Sequence, residues 1–289
     1  GRSDAAGRAG TNPYPGVTIY YQLPDDIADD TEIALEVMDG DDTIWTWTRE
    51  PLPGDKVEEG GPNAPPRTDV LPAEAGLNKF SWNLNTPSFE RFDNLILWIN
   101  ARSGPSVPPG SYRARLTVGD EVQETRFEVV ADPRSSLTQA DYEARYSFAT
   151  ETRDIVSRTH TGIRRIRSLK GQLEAAQGRV EEESDVAASI QATLDSLTAI
   201  EETLYQTKNE SRQDPLNFPI RLNNKLSYVL LLGSQSAAAP TASMIAVRDE
   251  LAEGINAELA KLDAVFANDV PALNRALADL DLIAVEDPE

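Results

Sequence analysis

The stretch Gln213-Asp214-Pro215-Leu216-Asn217-Phe218-Pro219-Ile220-Arg221-Leu222-Asn223-Asn224-Lys225-Leu226 breaks a series of long amphipathic patterns with two prolines. Proline lacks an N–H and clashes with the preceding turn, so no helix passes through it, yet it suits the first turn of a new one. Apolar residues among the polar ones mark the stretch as packed and not as linker. It predicts a structural corner made by Asp214, Pro215, Asn217, Phe218, Pro219, Asn223 and Asn224. Asn217, Asn223 and Asn224 are expected to bond helix ends. Phe218 and Ile220 are expected to plug the core.

On both sides of the corner apolar residues recur at helical spacing. Thr138-Gln-Ala-Asp141 is a capping-box variant opening a helix with Phe148, Ile155, Ile163, Ile166, Leu169 and Leu173 in one stripe, to about Gly178. A second helix begins near Ser184 and carries Ile190, Leu194, Leu197 and Leu204. A third, opened by Pro219, stops at Gly233. A fourth starts near Pro240 and a last short one at Pro271. Single-stripe helices bury their stripes against each other, which predicts an antiparallel α-helical bundle of about three to five helices over 136–284.

Upstream the period is two. Val17–Leu23, Glu32–Met38, Thr43–Thr48, Asn78–Leu84, Leu95–Ile99, Gly110–Val118 and Val122–Val130 read as strands. Asp39-Gly40 and Gly119-Asp120 are turn signals between them. This spacing predicts an antiparallel Ig-like β-sandwich over 13–135. Pro51 to Ala75 reads as a loop, and residues 1–12 as a disordered lead-in or a cut inside a longer protein. The expected fold class is α+β in two domains.

The net charge of −21 repels a phosphate backbone, so nucleic acid is not an expected partner. Of the basic residues 21 are Arg and only 6 are Lys. Acidity with few lysines fits a salty medium, and a GC-rich genome would favour arginine equally. No apolar run approaches the roughly 18 residues of a membrane span. The chain has no cysteine, which removes disulfides, thiol catalysis and Cys-ligated metals. It holds no Gly-rich phosphate loop, HExxH or GxSxG, and no cofactor is expected.

Four features invite a chemical reading. The acids Asp25, Asp26, Asp29 and Asp30, with Asp39, Asp41 and Asp42, could ligate calcium, but solvated turns explain them more simply. Trp45 and Trp47 share a strand face and could stack on a carbohydrate, against the plainer reading that the tryptophans are core. His160, the only histidine, sits among polar residues and is expected at the surface. Arg164, Arg165, Arg167 and Lys170 are expected to pair with Glu174 and Glu181-Glu-Glu183. Asn209-Glu-Ser211 matches a glycosylation sequon that is common by chance. No catalytic constellation is visible.

The order of motifs resembles the C-terminal region of large secreted bacterial proteins with sortilin-like, BNR-repeat β-propellers, commonly labelled glycosyl hydrolases. The residues carrying the resemblance are Asn12–Pro24, Gly76–Leu84, Pro108–Val118, Asp132-Pro-Arg134, Gln206–Asn209 and Asp214–Leu226. The last is the most specific. The resemblance implies a secreted or periplasmic setting and a propeller, in the same polypeptide or complex, as partner. No Asp-box repeat occurs here, so no hydrolytic residue carries over. The function expected is a non-catalytic structural or interaction region. The alternatives are a carbohydrate-binding module, or part of a glycoside hydrolase whose active site lies in the propeller. The oligomeric state stays open.

Overall fold

A computed structural model describes residues 16–25, 27–28, 30–50, 70–236, 238–280 and 282–287. The expected lead-in, most of the 51–75 loop, and Asp26 and Asp29 lie outside them. The chain is α+β. Six strands are described: β1 (Val17–Leu23), β2 (Ile33–Asp39), β3 (Asp42–Thr48), β4 (Gly76–Trp82), β5 (Gly110–Val118) and β6 (Glu121–Val129). The helices are α1 (Gln139–Gln177), α2 (Asp185–Leu204), α3 (Leu222–Gln235), α4 (Ala242–Ala264) and α5 (Val270–Ala278). The described residues form two compact units. One holds the strands, and the other joins Ser88–Pro105 to everything from Ser135 onward.

The strands make two antiparallel sheets, β1-β4 and β3-β2-β5-β6. Two-residue turns close both hairpins of the larger sheet. Gly40 and Gly119 take φ of +57° and +56° there, which a side chain would resist. Alternation buries Ile33, Leu35 and Val37 of β2, with Tyr112 and Ala114 of β5. From the smaller sheet come Leu23, Phe80 and Trp82. Trp47 meets Phe80 at 4.8 Å and Trp82 at 6.4 Å between ring centres, and Trp82 also packs edge-on to Tyr112 and Phe127. The Trp82 indole N–H donates to Asn85 O at 2.8 Å, so this buried ring keeps its polar atom satisfied.

Leu95–Ile99, expected as a strand, is not one. Leu95 and Ile96 are buried, Leu95 within the helical core, and Tyr205 and Asn224 side chains accept the Ile96 and Trp98 N–H groups that a strand would give to a ladder. The apolar run was correct and the period was not.

In the helical unit Thr138 caps α1 with a reciprocal Asp141 bond, and Ser184 caps α2. The core holds Val156, Ile163, Ile166, Leu169 and Leu173 of α1. Facing them are Ile190 and Leu197 of α2, Leu226 and Leu230 of α3, and Ile255 and Leu262 of α4. Burying side chains of this size stabilises by about 1.5–3 kcal/mol each before entropy is counted.

Three helix ends differ from expectation. α3 opens after Arg221 and not at Pro219, and it runs past Gly233 to Gln235. α4 and α5 are continuous through a π turn at Val265–Asp269, where Val270 N–H reaches Val265 O. The wide turn lies just ahead of Pro271, which lacks the N–H that an α turn would need.

Candidate functional site

Several polar side chains of the helical unit converge on the segment Ser88–Pro105. One face of α1 bonds its main chain. Glu90 N–H donates to Ser157 Oγ at 3.1 Å, and His160 Nδ1 lies 2.6 Å from Glu90 O. One helical step further, Arg164 Nη1 donates to Arg91 O at 3.0 Å, and Arg167 Nη1 to Asp93 O at 3.4 Å. Positions 157, 160, 164 and 167 lie on one side of a helix, so one face of α1 holds the backbone of this segment.

His160 is fully buried, against the surface position expected for it. Phe89 and Phe92 stand edge-on to its ring at 5.4 and 5.1 Å. A carbonyl can only accept, so Nδ1 carries the proton and Nε2 accepts from Asn223 Nδ2 at 3.2 Å. Burial pushes the His160 pKa down to about 4. The nearby Arg91 and Arg164 cations add to that, while the Glu90 hydrogen bond opposes it. Both ring nitrogens are committed, leaving neither for proton transfer or for a metal.

Further along, Tyr205 Oη accepts Ile96 N–H at 3.2 Å, and burial raises the phenol pKa. Asn224 closes both sides of Trp98: its Oδ1 accepts Trp98 N–H at 2.7 Å and its Nδ2 donates to Trp98 O at 3.1 Å. Arg167 lies over Phe92 at 4.6 Å and pairs with buried Glu201 at 2.8 Å, which also holds Lys170 at 3.3 Å. Arg164 pairs with Glu90, and Arg165 with Asp263 and Asp287. The basic cluster therefore answers these acids and not Glu174 or Glu181–Glu183, as its sequence neighbourhood had suggested.

The corner expected at 213–226 divides. Asp214 accepts Glu210 N–H and Ser211 N–H, each at 2.7 Å, which holds its carboxyl below the usual range. Pro215 lies in a 3-10 turn, and Asn217 and Phe218 donate their N–H groups to Asp214 O. Asn217 is exposed, and Phe218 and Ile220 are only half-buried; the core positions they were given belong to Leu226 and Leu230. Pro219 offers its carbonyl to Gln206 Nε2 at 2.9 Å. Asn223 and Asn224 are buried and reach the 88–105 segment and His160, not helix ends.

Trp47 is 3% exposed and Trp45 half-buried, with the two rings stacked at 5.2 Å. No group of three or more metal-ligating residues occurs among the described residues. A groove of about 510 Å³ runs between α2 and α4, lined by Ser196, Thr203, Glu258, Lys261 and Asn268. Most of its polar groups are bonded locally: Ser196 to Ala192 O, Thr203 to Ala199 O, Asn268 to Ala264 O and Lys261 to Glu258, while Asp269 also lines it. Among the described residues no helix is long and apolar enough to cross a membrane. Set against protein-family models, curated proteins and solved structures, the chain finds no match.

Proposed function

We propose that this chain is a non-catalytic structural and interaction region of a secreted or periplasmic protein. In this reading the strands form an Ig-like β-sandwich and the helices an antiparallel bundle. The partner is a sortilin-like β-propeller of the same polypeptide or complex. One observation carries the non-catalytic reading. Four buried polar residues, His160, Asn224, Tyr205 and Glu201, are spent on protein partners that fix the 88–105 backbone and the helices packed on it. A catalytic acid–base pair needs groups turned toward a cleft instead.

The test is to assay the purified 289-residue chain on a panel of glycosides and to measure its binding to the propeller expressed separately. Binding without turnover supports the reading, and glycoside hydrolysis by this chain alone overturns it. A second reading rests on Trp45, whose half-buried ring stacks on that of Trp47. A carbohydrate-binding module would lose polysaccharide binding on Trp45→Ala while keeping its fold.

A further inference from the structure

The larger sheet ends on β6, nine residues long, which among the described residues pairs only with β5. Residues 121–126 of it are exposed on both faces. Charged side chains (Glu121, Glu124, Arg126 and Glu128) blunt this edge in part, but a bulge, proline and lysine do not. The register with β5 runs unbroken from Gly110↔Val129 to Val118↔Glu121, and the strand holds no proline and no lysine. Such an edge presents unpaired N–H and C=O groups to any strand that can match it.

The charges on this strand say which strand matches. Arg126 stands opposite Arg113 of β5, a like-charge pair. Arg113 is drawn to Asp41 at 3.0 Å and Glu124 at 3.3 Å, and Glu124 also holds Arg115 at 2.7 Å. Arg126 lies near enough to Glu124, two residues back on its own strand, for the charges to interact, but Glu124 makes its close ion pairs with Arg113 and Arg115.

We propose that β6 is a self-association edge, paired antiparallel with β6 of a second copy about a two-fold axis through Thr125. In that register Thr125 faces itself, and Glu124 of each copy faces Arg126 of the other, so opposite charges meet twice. Gln123 faces the half-buried Phe127, and Val122 faces Glu128. The contact is isologous and closes at two copies, giving one sheet of eight strands. Each copy carries −21, so overall repulsion opposes pairing in low salt, and added salt favours it.

The cysteine-free chain makes the register directly testable. Directly opposed Cβ atoms are about 5 Å apart, close enough for a disulfide after a small shift. Under mild oxidation Thr125→Cys is expected to give a covalent dimer, and Val122→Cys to stay uncrosslinked. Sedimentation of the unmodified chain should show a dimer that strengthens with salt. Arg126→Glu removes the repulsion with Arg113 inside one copy, so the fold survives. Between copies it sets two acids against each other and should weaken the dimer on the order of tenfold. A chain monomeric at every salt concentration, equal cross-linking by the two cysteine variants, or a dimer indifferent to Arg126→Glu would each overturn the proposal. Binding of an unrelated extended peptide in place of a second copy would do so as well.

Discussion

His160 Nδ1 and the main-chain oxygen of Glu90 lie 2.6 Å apart although 70 residues separate them in sequence. The bond uses the neutral ring, and burial holds the folded pKa to about 4, against about 6.5 in an unfolded chain. Between those values the unfolded chain takes up a proton that the native one refuses. The contribution is therefore complete above about pH 6.5 and is lost as pH falls toward 4, amounting to about 3 kcal/mol by then. Denaturant unfolding at pH 7 and pH 4.5 should show this loss, and His160→Gln should lack it. Carboxylates titrate in both chains, so the difference between the two curves isolates the ring. Parallel curves for parent and variant would refute the assignment.

Asn224→Leu should free the middle of the 88–105 segment. The substitution keeps the volume but leaves Trp98 N–H and C=O without their partners. Unsatisfied buried groups cost about 1–3 kcal/mol each, less whatever water recovers. Amide exchange at Trp98 should accelerate well beyond that of the α1 core. Asn224→Asp keeps the acceptor for Trp98 N–H and should protect that amide better than Leu does. Equal exchange in the parent and the Leu variant would show that the bond is not made.

The helices were legible because their signals are local. Thr138–Asp141 and Ser184 fix two starts, and the stripes name the core residues. The hairpin turns at Gly40 and Gly119 were legible for the same reason. The site was not. Leu95–Ile99 and a buried strand share one apolar pattern, and only tertiary partners distinguish them. His160 sits among threonines and arginines that look like a solvated face. What buries it is Phe89 and Phe92, more than sixty residues upstream. The one available signal was the adjacent pair Asn223-Asn224, placed correctly at the corner but assigned to helix ends.

Gly233→Ala should destabilise the chain although alanine is the better helix former. A Cβ at Gly233 would meet the buried Phe148 ring at 2.6 and 2.8 Å, and a ring cannot give way as a methyl group can. Overpacking of this kind costs about 1–3 kcal/mol against a propensity gain of about 1 kcal/mol. Gly171 in α1 is the control, exposed and with nothing within 4 Å of its Cβ position. Gly171→Ala should stabilise by roughly 0.5–1 kcal/mol. Thermal melts of both variants decide it, and a Gly233→Ala melt above the parent's contradicts the close approach.

Glu201→Ala should cost more than any exposed acid in α2. The residue is 4% exposed, and its carboxylate is shared by Arg167 at 2.8 Å and Lys170 at 3.3 Å. Removing the shared acid leaves two cations side by side, and breaking a buried pair costs about 3–5 kcal/mol when both partners are desolvated. Here Arg167 and Lys170 remain partly in water, which brings the expected loss to about 1–3 kcal/mol. Arg167 also lies over Phe92 and Tyr205, so its release should loosen the 88–105 segment together with the α1–α2 contact. Glu202→Ala, one residue on and exposed, should change stability by less than about 0.5 kcal/mol. Added salt should narrow the difference between parent and Glu201→Ala only slightly, because a buried carboxylate is poorly screened. If the two alanine variants unfold at the same denaturant concentration, Glu201 does not join the helices in the way its distances indicate.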